Sequence, residues 1–447
     1  MYSKTCIDVG VKIPEILLPQ KDVDLGKWSV VACDQYTSQE DYWECVENTV
    51  GSSFSTLRLI LPEVYLEKND VQNRIQNINK KMADYLDEKV ILPQQPGFIY
   101  VERKTSCQKS RKGLMLAIDL ERYDYNKGSK ALIRATEGTV IERLPPRVRI
   151  RENALLELPH IMLLIDDPEK TVIEPLSKLK ETLTKAYDFE LMMEGGHVEG
   201  YLVYDEEITL NILKALQKLA DPESFKEKYG ENNPLLFAVG DGNHSLASAK
   251  AFWENLKPSL DSDAKENHPA RFALVEVVNV HDEGLAFEPI HRVVFGITPD
   301  LFIDEMISYY NEKGENAAFK TVCCLDEIKK ELSAPSKGIH RIPFITEKSC
   351  GIIEVQNPSH NIEIGTLQSF LDYYSSKNPE CKIDYIHGED VTEELGQKEG
   401  NIGFFLPAMD KNDLFKTVIK DGALPRKTFS MGEACEKRFY LEARRIR

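Results

Sequence analysis

Leu235-Leu-Phe-Ala-Val-Gly-Asp-Gly-Asn-His-Ser-Leu-Ala-Ser-Ala-Lys250 holds the residues best suited to chemistry. Five apolar residues, Leu235 to Val239, read as a short buried strand. Gly240, Asp241, Gly242 and Asn243 interrupt it, and from Ser245 onward the pattern is helical. A strand that turns on glycine directly into a helix presents unpaired backbone N–H groups and the positive end of a dipole, which suits a phosphate. Gly242 lets the backbone approach a ligand closely. Asp241 can hold a divalent cation and His244 can donate to a phosphate oxygen. The same residues also suit a plain turn with Ser245 as its N-cap. No Gly-Lys-Ser/Thr follows, so this is not a Walker A loop, and the spacing is not that of a dinucleotide fingerprint.

Other residues could complete such a site. Ala131 to Arg151 gathers Arg134, Arg143, Arg147, Arg149 and Arg151 in an otherwise acidic chain. Arginine suits planar recognition of phosphate, and the alternation of Arg147, Arg149 and Arg151 predicts one face of a strand. Glu137, beside Gly138, is placed to serve as base for a hydroxyl nucleophile. A solvated, salt-bridged strand edge would account for the same residues. His291-Arg292 and a C-terminal loop with Lys427 and Thr428 are further candidates for phosphate. Asp34 and Gln35 follow a strand ending at Cys33, a place where α/β proteins often bind ligands. The polar run after them reads as a helix start capped by Thr37 or Ser38. His197 sits beside two glycines in a loop or hairpin.

With 447 residues, 42% hydrophobic and 29% charged, the composition is that of a globular protein of two or three domains. A net charge of −17 argues against nucleic acid as partner. No apolar run is long enough for a membrane span, and nine scattered cysteines without a C-x-x-C suit reduced thiols, so no membrane association and a cytoplasmic location are expected. Helical periodicity marks 68–88, 173–187, 208–219, 245–256, 299–313 and 325–332. Strands are expected at 98–103, 114–120, 158–165, 201–204 and 272–280.

Asp241-Gly-Asn-His244, between a buried strand and a helix, resembles the Asp-Gly-His-His-Arg motif of free serine kinases. Arg134-Ala-Thr-Glu-Gly-Thr139 is similar to the segment that carries their catalytic glutamate. The longer pattern, Arg-x-x-Glu-x-Thr, Asp-Gly-x-His and Leu424-Pro-x-Lys-Thr428, resembles a large bacterial domain family found with serine-biosynthesis genes. Some of its members are pyrophosphate-dependent serine kinases, and the resemblance spans nearly the whole chain. It implies an α/β protein with a ParB/sulfiredoxin-like core over 131–297, flanked by N-terminal (1–130) and C-terminal (298–447) α/β segments. It implies Glu137 as the base on the serine hydroxyl and Asp241 as the Mg²⁺ or phosphate-orienting group. Gly242, Asn243, His244 and Ser245 would cradle the phosphoryl groups, and Arg134 and Thr139 would line the same site. L-serine is then the acceptor, with pyrophosphate or a nucleotide as donor. Asn243 and Ser245 depart from the motif, and the second change removes a cation. A nucleotide-binding ParB-like regulator and a phosphate or pyrophosphate hydrolase are the alternatives.

Overall fold

The structure is a computed structural model that describes residues 8–105, 110–322 and 338–447. The expected helix at 325–332 lies outside them. The chain forms two compact units, Met1–Ala286 with Met431–Arg447, and Phe287–Ser430. Three segments with boundaries near 130 and 298 were expected. Strands from both 1–130 and 131–297 share one sheet, and the last 17 residues belong to the same unit.

That sheet has ten strands: β1 (Val11–Lys12), β2 (Phe98–Lys104), β3 (Arg111–Asp119), β4 (Tyr123–Asp124), β5 (Ile133–Ala135), β6 (Met162–Ile165), β7 (Thr184–Leu191), β8 (Gly196–Val203), β9 (Phe237–Asp241) and β10 (Phe272–Asn279). Their order is β7-β8-β2-β3-β10-β6-β9-β5-β4, with β1 paired to β3. The sheet is mixed. β9 runs parallel to β5, β5 to β4 and β6 to β10, while the other pairs are antiparallel. Both faces are covered, which explains why β10 is buried along its whole length. Alternate residues of β2 divide between two cores. Ile99 and Val101 join the cluster with Trp28, Trp43 and the C-terminal Tyr440 and Leu441. Phe98 and Tyr100 join Phe237, Val239, Leu246 and Trp253 on the other face. The fold is α/β, as expected.

The helices bear out most of the periodicity. α1 (Glu40–Val50) and α2 (Val71–Asp87) precede the main strands, and α3 (Leu144–Arg151), α4 (Glu206–Leu219) and α5 (Asn243–Leu256) follow within the unit. Gln39 caps α1 without a side-chain bond, so neither Thr37 nor Ser38 holds the expected role. α3 overturns the strand expected for Arg147, Arg149 and Arg151. Pro145 and Pro146 fix φ and lack N–H groups, so they favour a first helical turn. No helix among the described residues is long and apolar enough to cross a membrane.

The second unit carries a seven-stranded sheet built from β11 (Glu288–Phe295), β12 (Ala317–Val322), β13 (Ile339–Ile345), β14 (Cys350–Gln356), β15 (Lys382–His387), β16 (Asn401–Phe404) and β17 (Phe429–Ser430). Its order is β12-β14-β13-β16-β11-β15, and β17 pairs with β11. α6 (Pro299–Glu312) and α7 (Glu363–Lys377) supply Phe302, Tyr310 and Phe370 to its core.

Candidate phosphate site at the ends of two parallel strands

β9 extends two residues past the apolar run, through Gly240 and Asp241, and a single residue separates it from α5. That residue is Gly242, with φ +80°. A Cβ there would stand 3.1 Å from the Ile161 Cα, so the left-handed conformation favours glycine and the space beside it is tight. Ser245 is therefore not the N-cap. It lies inside the first turn of α5, and Gly242 caps the helix without a side-chain bond. Gly242→Ala is expected to destabilise the protein by about 1–2 kcal/mol. Thermal melting measures this, and an unchanged midpoint would contradict the strain.

Parallel pairing of β9 with β5 brings the second candidate segment alongside. Val239 faces Ala135, so Thr136 and Glu137 leave β5 at the same end of the sheet as Gly240 and Asp241. Thr136 Oγ1 donates to the Val239 carbonyl at 2.6 Å and accepts from Asn243 Nδ2 at 3.4 Å. The Val140 N–H donates to His244 Nε2 at 3.3 Å, tying the segment to the first turn of α5. An accepting Nε2 places the neutral ring's proton on Nδ1. Asn243 Oδ1 and Thr139 Oγ1 are buried without a hydrogen-bond partner. Buried polar atoms are rarely left so, and both lie among the residues expected to line the site. Glu137 is half-buried, and the space beside Gly138 is open for 4 Å.

Asp241 Oδ1 accepts the Gly242 N–H at 2.9 Å, and Oδ2 lies 3.2 Å from Lys437 Nζ. Asp34 and Gln35 belong to the same neighbourhood. The Gln35 amide donates to Asp34 Oδ1 at 2.9 Å, and His160 Nε2 stands 3.7 Å from Asp34 Oδ2. Burial would raise the Asp34 pKa, but His160, the Gln35 amide and Lys437 outweigh it and hold the carboxyl below its ordinary value. On the far side of His160, Nδ1 is 2.8 Å from the Tyr440 hydroxyl, which accepts the Cys33 N–H at 3.2 Å. Burial raises the Tyr440 pKa well above that of a free phenol, so its proton remains to donate.

His160, Lys437 and Tyr440 were not singled out from sequence. A histidine opening an apolar strand was a signal for His160. Lys437 and Tyr440 offered none, because only the return of the chain end brings them to this place.

Several candidates are occupied elsewhere. Arg134 is 4% exposed and donates to the carbonyls of Ala131, Asn233 and Pro234, so it braces the loop before β9. Arg147 bonds Glu63, and Arg151 bonds Glu157 at 2.5 Å. His197 lies on β8 between Asp188 and Glu190, at 2.9 and 2.8 Å. The space beside its glycines is filled by protein: a Cβ at Gly195 would meet the Phe439 ring at 2.6 Å, and one at Gly196 would overlap the Lys104 carbonyl.

His291, Arg292 and Lys427 belong to the second unit. His291 Nδ1 accepts the Leu406 N–H at 3.1 Å, and burial pushes its pKa down to about 4, so the ring is neutral. Arg292 donates to the carbonyls of Arg426 and Lys427 at 3.1 and 3.0 Å and lies over the Tyr385 ring. It thereby braces the loop that carries Lys427, whose φ is +57°.

The sequence family described as "Protein of unknown function (DUF1015)" matches residues 15–374. The chain belongs to this family. Asp34, Glu137, His160, Asp241 and His244 fall inside the DUF1015 match, whereas Lys427, Lys437 and Tyr440 lie beyond it. No curated protein matches this DUF1015 chain. Among solved structures it is similar to a conserved hypothetical protein from Pyrococcus furiosus, with TM-score 0.34 and 12% identity over 73% of this chain and 90% of that one. It is also similar to a free serine kinase in complex with AMP, with TM-score 0.36 and 12% identity over 71% and 86% of the two chains. SbnI with a C-terminal truncation from Staphylococcus aureus gives TM-score 0.33 and 10% identity over 73% and 87%. Likeness at this level carries no argument for chemistry.

Proposed function

We propose that the protein is a phosphotransferase that makes O-phospho-L-serine from free L-serine, with pyrophosphate as the favoured donor. The observation that carries this reading is the parallel register of β5 and β9. It sets a carboxylate, Glu137, at the same strand ends as a helix start suited to phosphate. Phosphoryl transfer asks little more of a protein than positioning, charge compensation and a base.

Gly242, Asn243 and His244 would receive the donor at the start of α5, where N–H groups point outward. Asn243 and Thr139 each have a buried oxygen available to a hydroxyl or ammonium donor of the substrate. Glu137 would take the proton of the serine hydroxyl as its oxygen attacks the terminal phosphorus. The bridging P–O bond breaks, orthophosphate leaves, and the proton rests on Glu137.

Mg²⁺ belongs to this reading as an ion carried in with the donor. Such ions keep most ligands as water and phosphate and need only one or two carboxylates. Asp241 fits that requirement, since its Oδ2 already faces a cation, Lys437. When bound, Mg²⁺ would neutralise charge on the phosphoryl oxygens.

Phosphorus NMR of the protein with Mg²⁺, L-serine and pyrophosphate, repeated with ADP and ATP, tests the proposal. A phosphoserine resonance is expected, and the donor that gives it identifies the class. Orthophosphate growing without serine would replace the reading with a hydrolase. An unchanged spectrum with every donor would leave a nucleotide-binding regulator as the better account.

A further inference from the structure

We propose that Lys437 contacts the phosphoryl donor directly and supplies the cation that the strand–turn–helix itself lacks. This rests on reading the 240–246 turn as the donor site.

The turn holds no lysine or arginine from Gly240 to Leu246. The carboxylates nearby are Asp241, Glu137 and Asp34, all of the same sign as the donor. A helix start offers about half an elementary charge, too little to hold a pyrophosphate against them. Arg134 and Arg147, the cations expected from neighbouring sequence, are committed to carbonyls and to Glu63. The cation that does reach the turn comes from the far end of the chain. Lys437 Nζ is 3.2 Å from Asp241 Oδ2, and its charge helps to depress Asp34. An ammonium has three donors, and the Asp241 contact uses one.

The backbone that carries Lys437 is fixed independently of its side chain. Arg103 donates to the carbonyls of Cys435 and Lys437 at 3.0 and 3.3 Å. Arg438 Nε donates to the Pro159 carbonyl at 3.2 Å, and the Arg438 carbonyl accepts the Ala32 N–H at 2.9 Å. The tail is therefore bolted on both sides of Lys437, once against β2 and once against the segments that bear Asp34 and His160. The side chain is 14% exposed, enough to meet a ligand and dry enough for its charge to count.

Isothermal titration calorimetry of the full chain with Mg²⁺ and pyrophosphate, ADP or ATP, for wild type, K437M and K437R, tests the assignment. K437Q keeps a donor without the charge and takes the place of K437M should that variant not fold. Wild type is expected to bind one of the three, K437M or K437Q at least about tenfold more weakly, and K437R within about threefold of wild type. The affinity of the neutral variants should also depend less steeply on salt. Equal affinity and equal salt dependence in wild type and the neutral variant would overturn the role of Lys437 while leaving the turn as the donor site. Wild type binding none of the three phosphates would overturn the donor site and, with it, this assignment.

Discussion

Glu137→Gln is expected to lower phosphoserine formation by about 10²–10⁴-fold, the range of a lost general base, with donor affinity nearly unchanged. The substitution keeps size and one acceptor but removes the proton-accepting oxygen. Glu137 follows β5 directly, and β5 is held against β9 by the pairs Phe237–Ile133 and Val239–Ala135, so its position is set by strand register. The bond from Thr136 Oγ1 to the Val239 carbonyl adds a side-chain tie one residue earlier. Open space beside Gly138 leaves room for an acceptor to approach. A base acts in the transition state, so kcat should fall while KM for the donor stays within about threefold. Steady-state kinetics with pyrophosphate and serine gives both. Turnover within threefold of wild type would remove Glu137 from the mechanism, and a rise in donor KM alone would make it a binding residue.

The part of this site that is local was legible in the sequence. An apolar run, two glycines around an aspartate and a helical pattern define β9, the turn and α5 without outside information. Even there the helix begins three residues earlier than the serine cap suggested, because Gly242, in the left-handed conformation, takes the N-cap position itself. The alternation of Arg147, Arg149 and Arg151 fits a strand for a simple reason. Residues at i, i+2 and i+4 line one face of a strand, whereas α3 spreads them around a helix. Two prolines at its start were the deciding signal. What sequence could not supply is the closure of the site. Tyr440 meets His160 across 280 positions, and no periodicity or spacing encodes such a contact. The unit boundary was hidden for the same reason: the chain leaves the first unit after Ala286 and rejoins it at Met431.

Buried arginines hold that return, Arg103, Arg438 and Arg444 among them, and removal of Arg438 is expected to be the most destabilising single change. Arg438 is 5% exposed. Its guanidinium bonds Glu276, on the wholly buried β10, and Glu442, four residues along the tail. Tyr187 donates to the second oxygen of Glu442 at 2.5 Å. Burial would raise the Glu276 carboxyl, but Arg438 and Arg111 hold its pKa below the ordinary value. Arg438→Met keeps most of the volume and takes from two buried carboxylates their closest cation, which costs about 3–5 kcal/mol. For a chain of this size the melting temperature should fall by roughly 3–8 °C.

The pH dependence separates this cause from simple loss of packing. In wild type the depressed Glu276 pKa contributes stability above the unfolded pKa of a glutamate, and that contribution fades as pH falls through the folded value. In the variant Glu276 keeps only more distant cations, Arg111 at 3.8 Å first among them, so most of that contribution is lost. The gap between the two melting temperatures should therefore persist from pH 8 down to the unfolded glutamate pKa, about 4.3, and narrow below it. Adding Glu276→Gln to Arg438→Met should recover part of the loss at pH 8, since one stranded charge is removed. Melting temperatures equal within about 2 °C at pH 8 would show that Glu276 and Glu442 find other partners. Because Lys437 precedes Arg438, the single variant should also weaken donor binding while K437R does not. That contrast links the frame of the C-terminal tail to the site it completes.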